Sequence, residues 1–316
     1  MYMRIAVIHV YFGLLPPWFS LFIQSCRVNK HLHFFIFSDS QTINFKSDNI
    51  QFIHQTYEDF FLLIKNKLNI NTRFYNPYKL CDYKPAFGFL FQEYLKDFDY
   101  WGYCDNDLVL GNTYDTLLPL IQSNYDVIST NEYFLSGSFC LFRNCATTIS
   151  MFKQIHNYKH ILSSEKHYAI DEVINMPQNN YRNVKNFLKF CKFYLQSYRK
   201  LTYKESRYAF RFLLKKLYVS NLPFDLTEVV WKLQKKELLT CYFNELMISD
   251  RSLKRKGFKK FFIYWDGNKL ILKNNQTKIF GYHLLDFKKN IEGLKIPVYH
   301  PNKFYVFTET EILQKS

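Results

Sequence analysis

The chain has 316 residues, 48% of them hydrophobic, which is enough to bury the core of one large domain or of a domain with an appendage and excludes a wholly disordered chain. Lysine and arginine number 42 against 27 acids, and the net charge of +15 suits an anionic partner: a phosphorylated substrate, an anionic membrane surface or nucleic acid. The 7 cysteines form no CxxC pair and several sit in apolar runs, so they read as small hydrophobes of a reducing compartment and not as a disulfide framework.

In chain order, residues 4–11 (RIAVIHVY) read as a buried strand, and Tyr11-Phe12-Gly13 turns out of it. This N-terminal run is too short for a signal-peptide core, and no apolar run reaches the ~20 residues a bilayer span needs. The expectation is a cytoplasmic protein, peripheral on the inner face of the cell membrane. A helix is predicted over 17–29, strands over 33–37 and 50–54, and a helix over 57–68. The spacing of Phe87, Leu90, Phe91, Tyr94 and Leu95 predicts one helix over 84–98, with Pro85 in its first turn. A strand over 99–103 leads into Cys104-Asp105-Asn106-Asp107. A helix over 113–122 and strands over 126–129 and 139–142 follow. Strands alternating with helices at short spacing predict an α/β fold, an open and mostly parallel sheet with helices on both faces.

Residues 182–218 change texture, carrying 11 basic residues against the single acid Glu205 and an aromatic stripe at helical spacing. The expected organisation is an α/β domain over 1–180, a basic amphipathic helical insertion over 181–222, and a part over 223–316 that completes the catalytic domain. A basic face with an aromatic stripe suits a helix lying on an anionic membrane, and equally two helices packed on the domain with a solvated face. No RRM, KH or zinc-finger signature accompanies it, which places nucleic acid well behind. Residues 261–265 and 270–272, joined through Asp266-Gly267-Asn268, read as a hairpin.

The chemistry concentrates at Asp105-Asn106-Asp107. Ligand sites of open α/β sheets lie beyond the carboxyl ends of the strands. Two carboxylates two residues apart at such an end can share one hard cation, with diphosphate oxygens completing the shell. Alone the pattern is weak, because short acidic stretches are common in surface turns. The following Leu108-Val109-Leu110-Gly111 is too apolar for such a turn. Gly13 lets backbone approach a ligand beside Tyr11, at the end of the first strand, where a nucleotide would lie; a plain strand-ending turn explains it equally. Gly137, between Ser136 and Ser138, leaves room for a donor sugar or simply belongs to a small-residue loop. Asp171 and Glu172 form a second carboxylate pair, suited to a general base or to the acidic start of a helix.

The stretches PYKLCDYKPAFG (77–88), YWGYCDNDL (100–108) and SGSFCLFRN (136–144), with Ala169-Ile170-Asp171-Glu172 and Tyr282-His283-Leu284, resemble a bacterial family of polysaccharide-biosynthesis glycosyltransferases long catalogued as a domain of unknown function. The resemblance covers residues 3–175 and 258–290. It implies a glycosyltransferase type A fold, a UDP- or GDP-sugar donor, Mn²⁺ or Mg²⁺, and an acceptor hydroxyl on a cell-surface glycan or lipid-linked oligosaccharide. It further implies that Asp105 and Asp107 hold the metal and meet the donor, that His283 completes the metal shell, that Lys84 meets a donor phosphate or those carboxylates, and that Asp82 touches the base or ribose. Read from local pattern alone, Asp82 is an N-cap and Lys84 a solvated cation. Ser138 stands where that family commonly has His, which bears on sugar selectivity. The same carboxylates would also serve a nucleotidyl- or phosphotransferase, and a non-enzymatic basic module is the reading that dispenses with them.

Overall fold

The computed structural model describes residues 4–40, 47–132, 134–172, 223–258, 260–273, 276–285, 287, 303–308 and 311–315. The basic segment 182–218 lies outside them, and with it the reading of that segment as an insertion or a membrane-facing surface.

The first strands are β1 (Ile5–Val10), β2 (Leu32–Ser38), β3 (Ile50–His54), β4 (Tyr100–Cys104) and β5 (Leu108–Leu110). They are followed by β6 (Val127–Ser129), β7 (Phe139–Arg143), β8 (Cys241–Phe243), β9 (Met247–Ser249) and β10 (Ile263–Trp265). The last are β11 (Leu270–Leu272), β12 (Thr277–Ile279), β13 (Gly281–His283), β14 (Phe304–Phe307) and β15 (Ile312–Lys315). A seven-stranded sheet runs β3-β2-β1-β4-β7-β6-β8. Its pairings are parallel from β3 through β4 and between β6 and β8; only β7 runs against its neighbours.

Both faces of this sheet are covered, which is why its central strands read as continuous apolar runs. Ile5 and Val7 of β1 pack toward Phe22, Ile23, Leu117 and Ile121, from the helices Phe19–Val28 and Tyr114–Gln122. Ala6, Ile8 and Val10 pack on the opposite face toward Phe60 and Ile64 of the helix Tyr57–Leu68. That helix begins where Thr56 and Asp59 cap each other reciprocally. The α/β architecture, mostly parallel and helix-covered on both faces, is therefore as the sequence predicts.

The helix predicted over 84–98 does not form as one element. Pro77–Ala86 winds as a 3₁₀ helix, Phe87–Leu90 makes one α turn, and Gln92–Leu95 returns to 3₁₀. Pro85 offers no N–H, and its ring clashes with the carbonyl four residues back, which bars a regular α turn there. Gly88 then lies against β4: a Cβ at that position would stand 2.5 Å from Trp101 Cε2.

The chain leaves β4 through Asp105-Asn106-Asp107 and enters a three-stranded sheet of order β5-β13-β9. Leu108, Val109 and Leu110 are completely buried there, as the apolar run after the acidic triplet suggests. The predicted hairpin is β10–β11, whose Asp266 carboxylate accepts the amides of Asn268 and Lys269 at 2.8 and 2.6 Å. It belongs to a five-stranded antiparallel sheet ordered β12-β11-β10-β14-β15.

Candidate active site

β4 is flanked by β1 and β7, and its last residue Cys104 pairs with Phe139. The ladder extends one bond further, Asp105 N–H donating to Ser138 O at 2.9 Å. This fixes the backbone at the point where the acidic triplet leaves the sheet. The next anchor is Asp107, whose carbonyl accepts the amide of Leu284 at 2.9 Å. The β13–β5 register places His283 opposite Leu108. As a result His283 Nε2 stands 3.2 Å from Asp107 Oδ1. One ligand atom from each of Asp105, Asp107 and His283 lies within 4.8 Å of the others. Two carboxylates and an imidazole at that spacing suit a divalent cation that keeps further positions for phosphate or water. The Nδ2 of Asn106, between the two acids, is buried with no hydrogen-bond partner among the described residues.

Lys84 reaches the same place from the 3₁₀ run. Its Nζ donates to Asp105 Oδ1 at 2.6 Å and to Gly137 O at 2.7 Å, and lies 3.5 Å from Asp171 Oδ2. Burial works to lower the Lys84 pKa, but the neighbouring anionic groups, led by the Asp105 carboxylate, outweigh it and hold the ammonium charged.

Asp171 and Glu172 close the far side. Burial pushes the Asp171 carboxyl up to about 8, against the pull of Lys84 and with the help of neighbouring Glu172. Burial raises Glu172 as well, opposed by Lys84 and by the bond its Oε1 accepts from Gly137 N–H at 3.0 Å. The space beside Gly137 is taken by these two acids: a Cβ there would sit 2.6 Å from Asp171 Oδ2 and 2.8 Å from Glu172 Oε1. A side chain at 137 would push the carboxylate pair away from Lys84.

Tyr11 and Gly13 stand past the end of β1. Gly13 adopts φ +91°, a conformation that favours glycine, and its N–H donates to Asp39 Oδ1 at 2.8 Å. The Tyr11 hydroxyl donates to Leu14 O at 2.9 Å. Asp82 has a different setting. It is fully buried, 2.9 Å from Lys79 Nζ, and accepts the amides of Tyr168 and Ile170. Its carboxylate is thus engaged by the loop before Asp171.

Lys84, Asp105, Gly137, Asp171 and Glu172 are therefore one contact network, and Asp107 and His283 adjoin it through the triplet. Three participants escaped the sequence reading. Asp39 holds Gly13. Lys79 holds Asp82, and a lysine three residues before an acid in a tight helix was its available signal. His9 lies in β1, with Nδ1–H donating to Cys104 O at 3.0 Å and Nε2 buried without a partner among the described residues. Burial lowers the pKa of His9, so the ring is neutral and its Nε2 is an acceptor.

The sequence matches a family model over residues 7–282, that of a family of unknown function, DUF6625. The chain belongs to that family. The match also bridges the basic segment that the sequence resemblance left aside. No curated protein matches this DUF6625 chain at a significant level. Among solved structures it is similar to the galactosyltransferase LgtC in complex with donor and acceptor sugar analogues, at 13% identity and a TM-score of 0.33, covering 50% of this chain and 66% of that one, just under two thirds. It is also similar to mouse xyloside xylosyltransferase 1 in its apo form, at 7% identity and a TM-score of 0.39 over 89% of this chain and 96% of that one. A third is the glycosyltransferase GlyE of Streptococcus pneumoniae TIGR4, at 11% identity and a TM-score of 0.32 over 78% and 68%. Likenesses at this level carry no argument about the chemistry of the DUF6625 chain, which has to stand on its own residues. No helix among the described residues is long and apolar enough to cross a membrane.

Proposed function

We propose that this chain is a metal-dependent glycosyltransferase of the type A kind, moving a sugar from a UDP- or GDP-sugar to a hydroxyl of a surface glycan or lipid-linked oligosaccharide. The observation that carries the reading is the convergence of Asp105, Asp107 and His283 at the carboxyl end of β4, with the Lys84 ammonium against Asp105. Asp105, Asp107 and His283 would hold Mn²⁺ or Mg²⁺. When bound, the ion neutralises the diphosphate as the sugar–phosphate bond breaks.

Lys84 adds a second, fixed positive charge on the same side, in a site with little water to screen it. Asn106 Nδ2 is a buried donor available to a phosphate oxygen. Asp171, once deprotonated, is the group placed to accept the acceptor hydroxyl's proton in an inverting reaction, and Glu172 braces it through Gly137. Tyr11 and Gly13, at the next parallel strand end, are assigned to the nucleotide. Asp82 has its carboxylate committed to the protein, and so we assign it no contact with base or ribose. A cytoplasmic location and peripheral attachment through 182–218 belong to the same proposal.

The test is product analysis with a panel of UDP- and GDP-sugars in Mn²⁺. Release of nucleoside diphosphate that disappears in Asp105→Ala and Asp107→Ala supports sugar transfer. Release of sugar 1-phosphate, with the nucleoside monophosphate carried to the acceptor, would instead identify a nucleotidyltransferase, and release of nucleoside monophosphate, with the sugar phosphate carried to the acceptor, a phosphotransferase. Full cellular function in the doubly substituted protein would favour a non-enzymatic module.

A further inference from the structure

We propose that the buried Lys79–Asp82 ion pair is a positioning device: it clamps the turn at 168–170 and thereby sets where Asp171 and Glu172 stand. Its consequence for catalysis rests on the glycosyltransferase reading above; the clamp itself rests on geometry alone.

A 3₁₀ helix has three residues per turn, so residues three apart eclipse. In Pro77–Ala86 this brings Lys79 and Asp82 into line, 2.9 Å apart with both side chains 0% exposed. Taking two charges out of water is costly unless their remaining bonding capacity is filled. Here it is filled from a single stretch of chain. Lys79 Nζ donates to Ile161 O at 2.6 Å and to Lys166 O at 2.9 Å. Asp82 accepts Tyr168 N–H at 2.9 Å and Ile170 N–H at 3.2 Å. All four partners lie in the approach to Asp171.

The two amides held by Asp82 bracket Ala169, whose φ is +58°. An alanine enters that left-handed region only when its surroundings impose it. The imposing group is the Asp82 carboxylate, gripping the residues on either side. Immediately after this turn, Asp171 meets Lys84 and Glu172 meets Gly137. Lys84 belongs to the same 3₁₀ run as the clamp. One rigid segment therefore sets the cation on one side of the site and the carboxylates on the other, while the metal-ligand set comes from β4–β5 and β13.

The experiment compares full-length wild type with Asp82→Asn, Ala169→Val, Ala169→Gly and Asp82→Asn/Ala169→Gly. Three readouts are taken: amide hydrogen exchange at Tyr168 and Ile170, the thermal shift given by UDP or GDP with Mn²⁺, and nucleoside diphosphate release from UDP- and GDP-sugars. Asp82→Asn should speed exchange at both amides, keep the nucleotide shift and cut release by about 100-fold, the scale expected when a group is displaced by about 1 Å. Ala169→Val should do the same without touching the ion pair, since a β-branched residue resists positive φ. Ala169→Gly should match wild type, and in the Asp82→Asn background it should restore part of the release. Should Asp82→Asn fail to fold, Ala169→Val against Ala169→Gly decides the matter. Wild-type release from folded Asp82→Asn or Ala169→Val overturns the proposal. If wild type releases no nucleoside diphosphate, the glycosyltransferase reading fails by itself. In that case slow exchange at Tyr168 and Ile170, lost in Asp82→Asn, still supports the clamp, and rapid exchange in wild type overturns it.

Discussion

Asp171 is buried where an ionised carboxylate is expensive, and the cost has a sign that can be measured. Its carboxyl is pushed up to about 8 in the folded protein, against about 3.9 for an unperturbed aspartate. Between those values the folded protein keeps a proton that the unfolded chain has released. Stability therefore falls as pH rises through that window. Asp171→Asn removes the titration, so its melting temperature should gain on wild type from pH 4.5 to 8 and gain no more above; a difference constant across that range would contradict the assignment. As a base, Asp171 also predicts turnover that climbs toward pH 8. Lys79 makes the complementary prediction. Lys79→Met strands the Asp82 carboxylate in a dry site and should cost about 3–5 kcal/mol in urea unfolding, whereas Lys79→Met with Asp82→Asn should recover much of it. Neither behaviour is legible in the sequence. The family resemblance marks Asp82 and Lys84 as near the chemistry, but burial decides which of them meets a ligand, and burial is a property of the packed chain.

At the scale of elements, what could be read was what periodicity encodes. β1, β2, β4 and β7 are apolar runs because both their faces are covered, and the helix Tyr57–Leu68 carries its own capping signal. The one helix expected over 84–98 breaks into shorter elements because apolar residues three and four apart fit a 3₁₀ helix nearly as well as an α-helix. The distinction lay in Pro85 and in the contact of Gly88 with Trp101, and the second is invisible without the sheet. Gly88→Ala should drive a methyl into the indole and cost about 1–3 kcal/mol, read by urea unfolding. The reach of His283 to Asp107 is likewise a matter of register. Its resemblance to a known pattern identified the histidine, but the β13–β5 pairing is what brings it there.

Across the whole molecule, residues 84, 105–107, 137, 171–172 and 283 meet only when the main sheet and the β5-β13-β9 sheet are both formed. A ligand of that site binds the folded chain and not the unfolded one, so it must raise stability by mass action, by about 2.7 kcal/mol at a concentration 100 times its Kd. The most direct measurement is thermal unfolding in UDP or GDP, with Mn²⁺ and with a chelator. The melting temperature should rise when nucleotide and Mn²⁺ are present together, and the rise should vanish in Asp107→Ala and in His283→Ala. A nucleotide shift indifferent to the metal, or one that survives in both variants, would contradict the placing of a shared cation on Asp105, Asp107 and His283.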